Sequence, residues 1–331
     1  MKSLFCTLPS GENIFSYRIK SAKVEAEILT RGATLRSLIA YGTDVVCGFM
    51  EPEVYIQNPG YLGAVVGRVA NRIKDARLYI DGECYELTKN EPHACLHGGV
   101  GFAHRNWTVS EYKENSITLT YTSPDGEDGF PGEVMTSVTY TVENGGLMID
   151  YTATSNKKTA IALTNHAYFN LNGFADASAH ELKIYADEYT EVDENLIPTG
   201  KHPHVEGTPF DFREKRKISD GFMAGLSGYD HNFVLSPEVY ENFGGRALGL
   251  AAVLEANKLR MYAYTDQPGI QIYTANHFGK GPLFKGNVNS VKHGAVCLEM
   301  QTEPNSANHG VGIYGPGEIY RQTTVYKFEE K

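Results

Sequence analysis

The sequence lacks a long hydrophobic run and an excess of basic residues. No stretch approaches the roughly 18 consecutive apolar residues that a transmembrane helix needs, so a membrane span is excluded. The 30 Lys and Arg residues are outnumbered by 40 Asp and Glu residues, which gives a formal net charge of −10. Because nucleic-acid-binding domains usually carry a basic patch, this balance argues against a nucleic-acid partner.

Closely spaced cysteines are also missing. The five cysteines are scattered and odd in number, and no Cys-x-x-Cys pair occurs; they are Cys6, Cys47, Cys84, Cys95 and Cys297. This pattern predicts reduced thiols, and the short apolar run at the N-terminus does not resemble a signal peptide, so we expect a cytoplasmic protein.

Several catalytic motifs are absent as well. There is no Gly-x-x-x-x-Gly-Lys-[Ser/Thr] loop for phosphates and no Gly-x-Ser-x-Gly turn for a nucleophilic serine. His202 and His204 lie in a loop without a companion Cys or His-x-x-x-His motif, so we predict no metal site.

The sequence is instead rich in glycine and aromatic residues, with 34 Gly, 21 Tyr and 15 Phe, which favours strands joined by turns. Apolar and polar residues alternate with period two, and turn signals separate the alternating segments. The clearest segments are 116–122, 134–142, 147–154, 182–186 and 259–264, with further candidates at 270–274 and 295–301.

Helical periodicity is weak, and its best candidate, residues 246–254, is short and contains Gly249. We therefore predict an all-β protein, mostly antiparallel, with few short helices. No linker, composition break or fixed-period repeat divides the chain, so residues 1–331 are predicted to form a single domain.

Four segments hold more polar groups than a strand or turn requires. In the first, residues 67–73, Arg68 and Arg72 stand four apart in an apolar setting; they form either salt bridges at the edge of the core or a ligand site. In the second, His97 precedes Gly98 and Gly99, which permit close approach of a ligand, although a tight turn with an incidental histidine is the alternative.

The third and fourth segments contain candidate proton-transfer groups. His166 follows the apolar run 160–163 and is a candidate general acid or base, or else a satisfied core histidine. Glu299 lies inside an apolar strand, where a carboxylate is costly unless it is paired or used, and it shares a face with Cys297 and Gln301. Asp230 is a weaker candidate, because aspartate is an ordinary turn residue.

Together these groups suit proton transfer on a neutral polyol. At this point the chain resembles the aldose 1-epimerase (galactose mutarotase) family across most of its length. The resemblance rests on the order and spacing of GAVVGRVANRI at 63–73, LHGG at 96–99, DGFPG at 128–132, NHAYFNL at 165–171, YDHNF at 229–233, PGIQIYT at 268–274 and LEMQ at 298–301.

The resemblance implies a large antiparallel β-sandwich of the galactose mutarotase type and a reaction that interconverts the α and β anomers of free aldoses. By motif, Glu299 matches the general base, ionised at pH 7, and His166 matches the general acid, acting as imidazolium. His97 matches a second active-site imidazole. The sugar-binding groups of the family match Arg72, Asn71, Asp230 and Gln271.

The resemblance also implies no cofactor, a small-molecule aldose as the partner, and a monomer or weak homodimer. The sequence departs from the family after Gln301, since Asn305 follows Pro304 where the family usually has aspartate. Three alternatives stay open: a sugar-phosphate 1-epimerase, a glycosidase with paired carboxylates, and a non-catalytic carbohydrate-binding protein.

Overall fold

The computed structural model describes residues 1–174, 176–279 and 281–331. Strands dominate these residues, and the helices among them are short. They are α1 (Ser219–Met223) and single 3₁₀ turns at Pro52–Ile56, Pro59–Tyr61, Phe102–His104, Glu127–Gly129 and Ser306–His309. None of the helices in this part of the chain has the length and apolar character to cross a bilayer.

The strands follow one another through short turns. In chain order they are β1 (Lys2–Thr7), β2 (Asn13–Lys20), β3 (Val24–Leu29), β4 (Leu35–Ala40), β5 (Thr43–Asp44), β6 (Val65–Val66), β7 (Arg72–Lys74), β8 (Arg77–Ile80), β9 (Glu83–Glu86), β10 (Ala94–Leu96), β11 (Thr108–Tyr112), β12 (Ser116–Ser123), β13 (Val134–Glu143), β14 (Gly146–Ser155), β15 (Thr159–Ala160), β16 (Thr164–Asn165), β17 (Tyr168–Phe169), β18 (Glu181–Ile184), β19 (Ala186–Tyr189), β20 (Arg216–Lys217), β21 (Asp230–Leu235), β22 (Tyr240–Phe243), β23 (Arg246–Glu255), β24 (Leu259–Thr265), β25 (Gly269–Tyr273), β26 (Val296–Gln301), β27 (Ile313–Tyr314) and β28 (Ile319–Glu330).

Three large sheets organise the described residues. The first is five-stranded, in the order β1-β2-β3-β4-β5. The second is ten-stranded, in the order β11-β12-β13-β14-β28-β24-β23-β18-β20, with β22 beside β23. The third is five-stranded, in the order β17-β26-β25-β21-β19. All of these neighbours pair antiparallel.

The ten-stranded sheet packs against both five-stranded sheets. Its Tyr140 hydroxyl donates to the Ala33 carbonyl at 2.6 Å beside the first sheet. Its Tyr326 hydroxyl donates to the Leu298 carbonyl in the third sheet at 2.7 Å. One large apolar core draws residues from all three sheets. The predicted all-β sandwich with few short helices is therefore confirmed.

The predicted strands at 116–122, 134–142, 147–154, 259–264, 270–274 and 295–301 are all present within a residue or two, and 182–186 covers the end of β18 and the start of β19. Residues 246–254, the best of the weak helical candidates, form β23 and not a helix. From Leu248 to Glu255 every side chain of β23 is buried, so the strand is apolar on both faces and shows no alternation. A strand covered on both faces lacks the period-two signal.

Candidate active site

A row of polar side chains crosses the third sheet, and it begins at Glu299. This residue lies on β26 directly opposite Gln271 of β25, and its side chain is only 2% exposed. The Nε2 atom of Gln271 donates to Asp230 Oδ1 on β21 at 2.6 Å. Three adjacent strands thus place two carboxyl groups and an amide side by side.

His166 lies at the connection between β16 and β17, above this row. Its backbone is fixed on both sides, because its N–H donates to Ala64 O at 2.9 Å and its carbonyl accepts from Gly63 N at 2.9 Å. The imidazole Nε2 atom then lies 3.7 Å from Glu299 Oε1. Both side chains line one cavity, of about 160 Å³.

His97 and Asn71 hold each other through the main chain. The Asn71 N–H donates to His97 Nδ1 at 3.1 Å, and the His97 N–H donates to the Asn71 carbonyl at 2.9 Å. Because a main-chain N–H can only donate, Nδ1 must accept, and the neutral ring carries its proton on Nε2. His97 thereby offers a fixed N–H donor at the cavity that it lines.

The turn after His97 requires glycine at position 98. Gly98 has a φ of 78°, and a Cβ atom there would lie 2.2 Å from the Gly67 carbonyl oxygen. This close approach brings the strand end that carries His97 against the segment that carries Asn71 and Arg72. The glycine therefore serves the position of the imidazole as well as the turn.

Arg72 occupies the opposite side of the cavity between two carboxylates. Its Nε and Nη2 atoms bind the two oxygens of Glu91 at 2.7 and 3.0 Å. Its Nη1 atom lies 3.8 Å from Asp230 Oδ2. The two-pronged contact with Glu91 fixes the plane of the guanidinium and leaves its far edge directed at Asp230.

Aromatic rings close the remaining walls. Tyr168 stacks on the His166 ring with centroids 4.9 Å apart, and its hydroxyl donates to the Gly60 carbonyl at 2.9 Å. Tyr61 meets the His97 ring edge-on at 4.8 Å. These contacts restrict rotation of both imidazoles.

Burial sets the protonation of the central pair. Loss of solvent raises the pKa of Glu299 well above its usual range; nearby Asp230 adds to this, while Arg72 opposes it. Burial lowers the pKa of His166 to about 4. Both directions favour neutral forms at neutral pH, whereas the sequence led us to expect a carboxylate beside an imidazolium.

The other ionisable groups follow the same physics. Burial lowers the pKa of His97 well below 6.5, with further lowering by the neighbouring His166 and Arg72, so His97 stays neutral. Burial raises the pKa of Asp230, while Arg72 and the Gln271 amide act in the opposite direction.

The structure brings the predicted site residues together. The cavity is lined by Glu299, His166, His97, Arg72, Asn71 and Asp230, and Gln271 supports Asp230 from behind.

Arg68 is separate from this group, since its guanidinium donates to Ser123 Oγ, Pro124 O and Pro131 O at 2.7 to 3.0 Å. Of the two arginines in that motif, Arg68 is structural and Arg72 faces the cavity.

Asn305, the departure from the family pattern, lies directly behind Arg72. Its N–H donates to the Arg72 carbonyl at 2.8 Å, and its Oδ1 accepts from the Lys74 N–H at 3.0 Å. A side-chain oxygen is all that this second bond needs, and asparagine supplies it as aspartate would. The substitution is therefore compatible with the position of β7.

Sequence reasoning did not single out five further polar or aromatic residues that line the cavity, namely Glu91, Tyr61, Tyr168, Tyr273 and His277. Glu91 precedes Pro92 in what reads as an ordinary turn, and nothing in the sequence links it to Arg72. Tyr61 lies in the 3₁₀ turn Pro59–Tyr61 and His277 lies in an irregular segment, and periodicity carries no information at either place. Only the tertiary fold brings these residues to the cavity.

Comparisons with known proteins identify the family to which the chain belongs. The family model described as aldose 1-epimerase matches residues 16–327. Galactose mutarotases from Rattus norvegicus and Homo sapiens are each 40% identical over 344 residues, covering 99% of this chain and 98% of the relative. An aldose 1-epimerase from Escherichia coli K12 is 33% identical over 93% of each chain.

Solved structures with similar folds include a galactose 1-epimerase from Lactobacillus acidophilus. It has a TM-score of 0.88 and 28% identity, and it covers 100% of this chain and 98% of its own. A GalM/aldose epimerase homologue from C. elegans has a TM-score of 0.86 and 30% identity, covering 95% and 99%.

Proposed function

The chain belongs to the aldose 1-epimerase family, and from this premise we propose that it interconverts the α and β anomers of free aldoses such as galactose and glucose. The family match spans residues 16–327, and relatives named galactose mutarotase or aldose 1-epimerase align over nearly the whole chain. The protein is accordingly an isomerase whose substrate is a small neutral sugar.

The observation that carries the chemistry is the contact between Glu299 and His166. A carboxyl oxygen and an imidazole nitrogen 3.7 Å apart, both lining one cavity, suit two coordinated proton transfers at neighbouring oxygens. In the proposed reaction Glu299 takes the proton of the C1 hydroxyl. His166 gives a proton from Nε2 to the ring oxygen.

Bond changes balance without a cofactor. The C1–O5 bond breaks as O5 gains its proton, and the electrons of the lost O1–H bond form the aldehyde carbonyl. Rotation about the C1–C2 bond presents the other carbonyl face. Ring closure returns the proton from Glu299 to O1 and the proton of O5 to His166, which leaves the opposite anomer.

Burial of the pair supports ring opening. The pair has two protonation states that hold the same number of protons. One is a carboxylate with an imidazolium, and the other is a carboxylic acid with a neutral imidazole. The neutral pair is the form that accompanies the open-chain aldehyde, because both proton transfers to and from the sugar are then complete. Since loss of solvent favours neutral forms, it favours transfer of the protons to and from the sugar once the pair is in its carboxylate–imidazolium form.

The remaining polar groups would hold the sugar hydroxyls. Arg72 and Asp230 offer donors and acceptors on one side, and Gln271 keeps Asp230 in place. His97 offers its Nε2 proton, and Asn71 orients that ring through the main chain. Fixed partners of this kind bring C1 and O5 to the proton-transfer pair.

A sugar phosphate is a poorer substrate for this cavity. Its lining combines Glu91, Asp230 and Glu299 with a single guanidinium, Arg72, which is already paired to Glu91. A phosphate clamp would need free cationic groups.

Two further properties stay predictions. We expect the protein to be a monomer or a weak homodimer, and we expect it to lie in the cytoplasm.

Polarimetry tests the proposed function directly. Freshly dissolved α-D-galactose and α-D-glucose should reach anomeric equilibrium faster with the protein than without it, and the Glu299→Gln variant should lose this effect. An uncatalysed rate with the folded wild-type protein would overturn the proposal. Release of reducing sugar from an aryl glycoside would point to the glycosidase alternative instead, and sugar binding without rate enhancement to a binding protein.

A further inference from the structure

Three different metal-ligating atoms meet beneath the cavity. His166, Cys297 and Glu299 each offer one ligating atom, and these three atoms all lie within 4.8 Å of one another. Cys297 Sγ lies 3.5 Å from His166 Nδ1, and Glu299 Oε1 lies 3.7 Å from His166 Nε2. Nitrogen, sulfur and carboxylate oxygen are together the ligands that Zn²⁺ prefers.

The spacing suits a tetrahedral ion. With the usual Zn–N, Zn–O and Zn–S bond lengths, neighbouring ligand atoms are about 3.4–3.6 Å apart. An ion uses only one nitrogen of a ring, so the group must close by roughly 1 Å from its present maximum of 4.8 Å. Small rotations of the Cys297 and Glu299 side chains supply such a movement, while stacking on Tyr168 holds the His166 ring.

A second observation concerns Glu299. Its Oε2 atom is buried and makes no hydrogen bond within the part of the chain that the structure describes. An unpartnered buried oxygen carries a desolvation cost that a bound cation would remove. Oε2 is therefore free to turn toward an ion while Oε1 keeps its contact with His166.

The charge around the cavity does not oppose a cation. Glu91 is paired with Arg72, so the charges of these two lining residues offset each other, and the Asp230 and Glu299 carboxyl groups are the acidic groups that remain. Because His166 and Glu299 face the cavity, an ion held there would keep one coordination position open to water. His166 and Glu299 can be reached from the cavity, whereas Cys297 is fully buried behind them and does not line it.

We propose that His166, Cys297 and Glu299 form an inhibitory site for Zn²⁺ or a similarly soft divalent cation. On binding, the Cys297 thiol releases its proton to solvent, and the ion takes lone pairs of the imidazole and the carboxylate. Neither group can then exchange protons with an aldose. The inhibition rests on the proposed function, whereas binding of the ion does not.

Direct binding comes first in the test. Co²⁺ added to the metal-free protein should produce the near-ultraviolet absorption of a cobalt–thiolate bond, and Cys297→Ser should abolish it. In competition with a coloured chelator, Cys297→Ser should weaken Zn²⁺ binding by about 100-fold or more, because loss of even an outer-shell partner typically costs about 10- to 100-fold. Cys84→Ser, which removes an exposed thiol elsewhere, is the matched control and should leave both signals unchanged.

Activity is the second readout. Zn²⁺ at micromolar concentration should slow galactose mutarotation by the wild-type and Cys84→Ser proteins, EDTA should restore the rate, and Mg²⁺ should have no effect. Cys297→Ser should keep its rate in the presence of Zn²⁺. Circular dichroism should show whether Cys297→Ser is folded. If it is not, Cys297→Ala takes its place in both assays, and Zn²⁺ binding is also measured on Glu299→Gln.

The outcomes separate the two proposals. Equal Zn²⁺ affinity of the wild-type and Cys297→Ser proteins, or absence of the thiolate absorption, would overturn the cation site. A protein that binds Co²⁺ through Cys297 but does not accelerate mutarotation would leave the site in place and count against the proposed function alone.

Discussion

The Glu299 Oε1 atom lies 3.7 Å from the His166 Nε2 atom, although β26 and the β16–β17 connection bring these side chains from distant parts of the chain. The side chains of His166 and Glu299 are 7% and 2% exposed. Their protonation is therefore linked, and the number of protons that the pair holds decides whether it can act as acid and base at once.

The first prediction concerns pH. The active pair holds one proton that can move between Glu299 and His166. Below about pH 4, the pKa to which burial lowers His166, the pair gains a second proton and no base remains. Above the raised pKa of Glu299 the pair loses its last proton and no acid remains. Polarimetric kcat/KM should thus follow a broad bell, and a profile with one limb would contradict the shared proton.

Removal of either proton-transfer group should slow turnover. Glu299→Gln and His166→Asn each keep the approximate shape of the side chain and should each lower kcat by about 10²–10⁴. The double variant should be little slower than the poorer single variant, because the two groups act as a unit. Wild-type kcat in a folded Glu299→Gln protein would remove this residue from the mechanism.

The Glu299→Gln substitution should also change the stability of the protein. Burial raises the pKa of Glu299 in the folded state, so between the unfolded pKa near 4.5 and the raised value the folded protein binds more protons than the unfolded chain. Its stability contribution is then lost as pH rises. Urea titrations should show Glu299→Gln to be more stable than wild type at pH 8, by on the order of 1 kcal/mol, with little difference at pH 4. If Glu299→Gln and wild type differed in free energy of unfolding by the same amount at pH 4 and pH 8, the raised pKa would be contradicted.

Arg72→Lys should weaken the hold on the sugar. Lysine cannot make the two-pronged contact with Glu91 and at the same time direct a second nitrogen at Asp230. A hydrogen bond to a charged group is worth about 1.5–3 kcal/mol, so kcat/KM should fall by about tenfold to 100-fold. Arg77→Lys, in an exposed pair with Glu86, is the control and should change neither constant. Unaltered kinetics of Arg72→Lys would contradict its role.

Gly98→Ala should disturb the fold and the His97 ring together. A Cβ atom would meet the Gly67 carbonyl at 2.2 Å, and the residue has a φ of 78°. We expect a loss of about 2 kcal/mol or more in the free energy of unfolding, with lower kcat/KM. The matched control is Gly82→Ala, which has a φ of 87° but no atom within 4 Å, and which should cost about 1 kcal/mol and no activity. Equal losses in the two variants would show that the close approach is unimportant.

The sequence predicted the fold class because alternation is a local property. Residues 134–142 and 147–154 alternate, since each strand buries one face against the core and leaves the other partly exposed. The same reasoning failed for β23, because this strand is buried on both faces and shows no alternation. The order of strands in the sheets could not be read from any of these segments.

The site was predicted unevenly for a related reason. Glu299 could be singled out because an acidic residue in an apolar strand is costly, whatever its partners are. Its partner could be named only through the family resemblance, since local sequence does not encode the distance between Glu299 and His166. Glu91 illustrates the limit, because its importance comes entirely from contact with Arg72.

The place of β28 in the ten-stranded sheet has a consequence for biosynthesis. This strand lies between β14 and β24, although it follows both in the chain. Until residues 319–330 have left the ribosome, the largest sheet exists as two halves with open edges, each able to pair with a neighbouring nascent chain. A chaperone that shields strand edges during translation would therefore benefit this protein most before β28 has emerged.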